Sequence, residues 1–224
     1  MIIKNYVSAF VGMLCLASVG AVRADVIINY TGSVDNFNSG PFTVGAAITG
    51  QIILDETVVP VGVNNTFNNV ITSFTFHVAE PGVSGGLTYT GSGGRVQQFI
   101  GVGLTEFVSV AIGGVAGGTF TSPVFNDFSA ASFDIDFRGA DLFGDPTTLA
   151  TNLTEADFSR SFLTFNFDHP TAPLTDKLMV ERALDTVVFA SDSVSEPGSQ
   201  SVFGLGVLAL AFLRRSRTIA HRVS

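Results

Sequence analysis

The middle of this 224-residue chain predicts an all-β fold, an antiparallel β-sandwich, and three observations predict it. Apolar and polar residues alternate in short runs, clusters of Gly, Asn, Pro and Ser separate the runs, and the runs recur often enough for many short strands. Within 73–78, Phe74, Phe76 and Val78 share one face. Within 133–138, Phe133, Ile135 and Phe137 face one way and Asp134, Asp136 and Arg138 the other. Leu163, Phe165 and Phe167 alternate with Thr164, Asn166 and Asp168. A period of two with one apolar face belongs to antiparallel sheets whose second face meets water.

Further strands follow the same pattern at Val26–Thr31, Ala47–Leu54, Leu87–Thr90, Val96–Val102, Phe107–Ile112 and Val187–Ala190. Leu153–Phe158 reads as a single helical turn, with Thr154 capping toward Asp157. Lys177–Leu184 has a helical composition, but the apolar strand Val187–Phe189 follows at once, so it reads as strand. Glycine pairs at 85–86, 93–94, 113–114 and 117–118 read as turns, and Gly91-Ser92-Gly93-Gly94 lacks the lysine and helix of a phosphate loop. Twenty-one Phe and no Trp make phenylalanine the core aromatic.

Charge and cysteine narrow the chemistry. Residues 25–194 hold 18 acids against five bases (Arg95, Arg138, Arg160, Lys177 and Arg182), a net charge of −13. Phosphate backbones would be repelled, so no nucleic-acid partner is expected. The one cysteine, Cys15, lies in an N-terminal apolar run. Once that run is cut away no thiol remains for a disulfide, a thiolate metal site or a cysteine nucleophile.

Residues 1–24 read as a signal peptide. Lys4 gives the positive start, Val7–Val19 the apolar core, and Val22-Arg23-Ala24 the small residues before a cut between Ala24 and Asp25. Leu14 before Cys15 departs from a lipoprotein signal. The domain proper is then 25–192. Residues 193–217 carry a short polar motif, Ser195-Glu196-Pro197, then the apolar run Val202–Leu213, then the basic cluster Arg214, Arg215 and Arg217. The run predicts a single transmembrane helix over about 199–213, with the arginines holding its end on the cytoplasmic side and 218–224 as a cytoplasmic tail. Sixteen residues from Gly198 to Leu213 give about 24 Å of helix, shorter than a hydrocarbon core of about 30 Å. Snorkelling arginines and local thinning cover the difference.

This order resembles the PEP-CTERM sorting signal, in which a Pro-Glu-Pro motif precedes one membrane helix and an Arg-rich end. Ser195 stands where that family has its first proline, and the tail past Arg217 is additional. The resemblance implies export by signal peptidase, a transient stay in the inner membrane, and removal of the tag by exosortase, a membrane-embedded cysteine protease. The protein then passes to the cell surface or the extracellular matrix. The domain also resembles sandwich domains found ahead of such tags, in Tyr30–Ser33, Ile48–Ile52, Thr72–Phe76 and Asp157–Phe162.

The catalytic inventory is sparse. Asp134 and Asp136 on one strand face, and Asp141 and Asp145 in a turn, are calcium candidates, but they lack EF-hand spacing. Arg138 on the same face argues instead for cross-strand ion pairs. His77 sits on a polar strand face and His169 in a turn before Pro170, neither with a metal-ligand partner at short spacing. No Gly-x-Ser-x-Gly elbow occurs. Tyr30 and Tyr89 are the aromatic residues offered to a sugar ligand. The expectation is a non-enzymatic structural or adhesive surface protein without cofactor. The alternatives are a module that binds extracellular polysaccharide, assisted by calcium, and a secreted hydrolase using His77 or His169.

Overall fold

The computed structural model describes residues 25–192 except 36–37, 63–64, 102–104 and 182–183. The signal peptide, the Ser195-Glu196-Pro197 motif, the membrane helix and the basic cluster lie outside the described residues. Among the described residues no helix is long and apolar enough to cross a membrane.

Eleven strands form one antiparallel sheet: β1 (Asp25–Ser33), β2 (Asn38–Ser39), β3 (Ala47–Asp55), β4 (Thr66–Val78), β5 (Leu87–Ile100), β6 (Glu106–Gly113), β7 (Thr119–Thr121), β8 (Ser129–Gly139), β9 (Phe158–Asp168), β10 (Leu178–Glu181) and β11 (Thr186–Asp192). Their order is β11-β1-β3-β4-β5-β6-β8-β9-β10-β2, with β7 paired to β5 off that path. The all-β antiparallel expectation holds, and the hydrogen-bonded ladder is continuous from one half to the other. The sheet curls so that one face packs on itself. Phe76 of β4 meets Phe165 of β9 with ring centroids 4.9 Å apart, and Phe137 of β8 meets Phe189 of β11 at 5.0 Å. Tyr30 of β1 lies 6.1 Å from Phe133 of β8. Phe133, Ile135, Phe137, Leu163, Phe165 and Phe167 are all buried, as their period of two requires.

The 91–94 segment is a correction to the sequence reading: it lies inside β5, not in a turn. Gly93 and Gly94 have φ of +81° and +79°, a region that side chains with a Cβ avoid. The register of β4 against β5 shifts on either side of the Ile71–Gly93 pair, and at this point the partner on the other edge of β5 changes from β7 to β6. Bulges of this kind bend a strand, which is how one long strand serves both halves of the curl. The Leu153–Phe158 turn is found as a 3₁₀ turn over Glu155–Asp157. The Asp157 carboxylate accepts from the Thr154 N–H at 2.7 Å and its hydroxyl at 3.0 Å. Of Lys177–Leu184, β10 takes up 178–181, and Lys177 ends a preceding 3₁₀ turn.

Two buried polar side chains pin loops to the core. Gln98 has no exposed surface. Its amide donates to the carbonyls of Pro146 (3.3 Å) and Thr148 (2.6 Å) and accepts from the Ala150 N–H (2.7 Å), so every loop contact it makes is a satisfied one. Glu80 does the same for the loop at Phe42, accepting from the N–H of Thr43 at 3.0 Å and from its hydroxyl. The sheet path ends on a two-residue strand at one side and on a strand partly met by a loop at the other, and short or capped edges limit edge-to-edge pairing. β2 pairs the free side of β10, and the Phe189 N–H of β11 donates to the Leu153 carbonyl at 2.8 Å.

Candidate functional site

The outer face of β5, β6, β8 and β9 gathers polar and charged groups in three rows, because Cα partners across a ladder point the same way. The first row is Asn68, Arg95, Ala111, Asp134 and Thr164. The second is Thr66, Gln97, Ser109, Asp136 and Phe162. The third is Phe99, Phe107, Arg138 and Arg160. Three of the domain's five bases therefore sit on one face of a strongly acidic domain.

The expected cross-strand ion pairs for Arg138 are not what the register provides. Its partners are Phe107 on β6 and another cation, Arg160, on β9. The guanidinium of Arg138 lies 4.9 Å from the Phe107 ring centroid and 5.5 Å from that of Phe162. Arg160 lies 3.9 Å from the same Phe162 ring, and Phe99 stacks on Phe107 at 4.8 Å with ring planes 3° apart. Ring faces hold both guanidinium groups by cation–π attraction, which leaves the in-plane N–H donors of each group uncommitted to the ring. The Nε of Arg138 is buried without a hydrogen-bond partner, and so is the Nε of Arg95.

The acidic end of the face behaves differently. Burial pushes the Asp134 carboxyl up to about 7, helped by the charge of Asp136 and a hydrogen bond to it. The Arg95 charge and a hydrogen bond to Ser109 act in the opposite direction. Near neutral pH the Asp134 carboxyl is therefore still partly protonated. Asp141 and Asp145 lie apart from them, exposed in the loop after β8. Asp145 is occupied by the Thr147 N–H (2.8 Å) and hydroxyl (2.7 Å), which lower its pKa. Among the described residues no three His, Cys, Asp or Glu side chains are grouped to hold a metal ion.

The remaining candidates are dispersed. Nδ1 of His77 is 2.9 Å from the Thr88 hydroxyl across the β4–β5 ladder. Nδ1 of His169 accepts from the N–H groups of Thr171 (3.1 Å) and Ala172 (2.8 Å), which places its ring hydrogen on Nε2. Tyr30 and Tyr89, offered to a sugar, are instead core residues at 1% and 0% exposure, and burial raises the pKa of both. The Tyr30 ring lies over Gly50, where a Cβ would come within 2.1 Å of it, and its hydroxyl donates to the Thr75 carbonyl at 3.0 Å. Of the processing residues, Asp25 alone is described. It opens β1, where its register partner is Asp192, the last residue of β11.

Phe99, Phe107, Phe162 and Arg160 escaped the sequence reading. One signal was available: Phe162 is out of phase with Leu163, Phe165 and Phe167, so an aromatic ring stands on the polar side of its strand. The rest depended on register between strands.

The fold and this face define the chain as an all-β protein with one curled antiparallel sheet. No family model matches the chain, and neither a curated protein nor a solved structure matches it.

Proposed function

We propose that this chain is an exported, exosortase-processed protein of the cell surface or extracellular matrix, with a structural or adhesive role and no catalytic one. The observation that carries the reading is the pairing of a signal peptide over 1–24 with the three-part order of 193–217: Ser195-Glu196-Pro197, an apolar run, and Arg214, Arg215 and Arg217. Signal peptidase cuts at Ala24–Asp25, the helix over about 199–213 holds the protein transiently in the inner membrane, and exosortase removes the tag. On this reading the domain is a sandwich-like body exposed outside the membrane. The partnering of Asp25 with Asp192 suits it, since the chain enters and leaves the sheet at one end.

Intact mass of the protein from surface and membrane fractions of its producing cells tests this. A surface species beginning at Asp25 and ending near Glu196 is expected. A single membrane species retaining Arg214 and Arg215 would remove the exosortase reading. A second reading, a module for extracellular polysaccharide, is favoured by the arginine–phenylalanine face of β8 and β9.

A further inference from the structure

We infer that the Arg138–Arg160 pair, with Phe99, Phe107 and Phe162 beneath it, is a binding site for a carboxylate-bearing polysaccharide of the polyuronate class. The inference deepens the surface-protein reading and depends on it only for where the ligand is met.

Two like charges directly opposed across a ladder destabilise it, yet Arg138 and Arg160 are register partners and converge on one ring. No carboxylate among the described residues stands within 4.0 Å of either guanidinium, although the domain has a large excess of acids. An anion placed between the two cations would relieve their repulsion. A guanidinium held over a ring does not spend its N–H donors on the ring, and such donors can take a carboxylate with two parallel hydrogen bonds.

The surroundings select the carrier of that carboxylate. A net charge of −13 opposes every polyanion at long range, and it repels double-stranded nucleic acid, with two phosphates at each base-pair step, more strongly than a polyuronate with one carboxylate per sugar. β6 and β8 are paired on both sides and β9 is paired to β10 over 163–166, so a main-chain edge for an acidic peptide is left at most beside 158–162 of β9. The neighbouring row and the row beyond it supply, beside Asp136 and Asp134, the hydroxyls and amide that sugars bind: Thr66, Gln97, Ser109 and Thr164. Gln97 already donates to the Thr66 hydroxyl at 3.1 Å. A chain of uronate sugars places carboxylates and hydroxyls in alternation, which fits a cationic row beside a polar one.

The purified full-length chain in mild detergent would be run through native gels containing polygalacturonate, dextran, polyphosphate or polyglutamate. Polygalacturonate should retard it and dextran should not. Arg138→Gln and Arg160→Gln should each weaken retardation about tenfold, the scale of one lost charge-assisted hydrogen bond. Phe162→Leu should weaken it too, with an unchanged circular-dichroism spectrum for every variant. Lys177→Gln, which removes a base from outside this face, should change nothing. Equal retardation by polyphosphate, stronger retardation by polyglutamate, an effect of Lys177→Gln as large as that of the arginine variants, or no retardation by polygalacturonate would each overturn the inference. Normal processing to a species ending near Glu196 alongside any of these failures would leave the surface-protein reading standing.

Discussion

The two faces of β8 differ more than any two segments of the molecule. On the inner face, Phe133, Ile135 and Phe137 are packed against rings and aliphatic chains from both halves of the curled sheet. On the outer face of the same strand, Asp134 lies beside Asp136 and Arg138 confronts Arg160. The inner face of β8 carries no polar side chain to satisfy; the outer face holds like charges together and leaves the Nε of Arg138 without a partner. Stability belongs to the first, and an unfilled capacity to bind belongs to the second.

The largest break should come from inside. Phe165 touches the rings of Phe76, Tyr89, Phe120, Phe133 and Phe167, so Phe165→Ala should cost about 3–5 kcal/mol in urea unfolding. Gln98→Ala is next. It strands the carbonyls of Pro146 and Thr148 and the Ala150 N–H, and about 2–3 kcal/mol should be lost.

Asp134→Asn sharpens the comparison through pH. The folded carboxyl titrates at about 7, above the ordinary aspartate value of 3.8. The folded state therefore holds this proton more tightly, and the stability it confers is complete below about 4 and is lost as pH rises through 7. Melting temperatures of the wild type should accordingly fall relative to those of Asp134→Asn between pH 4 and pH 8. Parallel curves would contradict the raised pKa of Asp134. The smallest effect is expected from Arg138→Gln, within about 0.5 kcal/mol of wild type, because the side chain it removes opposes another cation.

Period-two alternation made the strands around Phe74, Ile135 and Phe165 legible, since each local run carries its own facing. The 91–94 segment misled because glycine marks turns and strand bulges alike, and only the pairing with β4 and β7 distinguishes them. β2 and β7, two and three residues long, are too short for any period to show. Tyr30 was misplaced for want of its neighbour: the ring is buried because Gly50, its register partner, leaves room for it. The Arg138–Arg160 pair was invisible for the same reason. Each arginine sits in an ordinary alternating strand, and their meeting exists only in the register between two strands joined by residues 140–157, of which Gln98 holds Pro146, Thr148 and Ala150.

The partnering of Asp25 with Asp192 also decides how the domain meets mechanical load. A pull applied to both chain ends at once would open the seven β1–β11 register pairs one after another, like a zipper, and would need little force. A domain held from one end only never experiences that peeling. On the proposed cut before Asp25, processing would do more than release a leader: it would remove one of the two handles by which tension could unfasten the sheet.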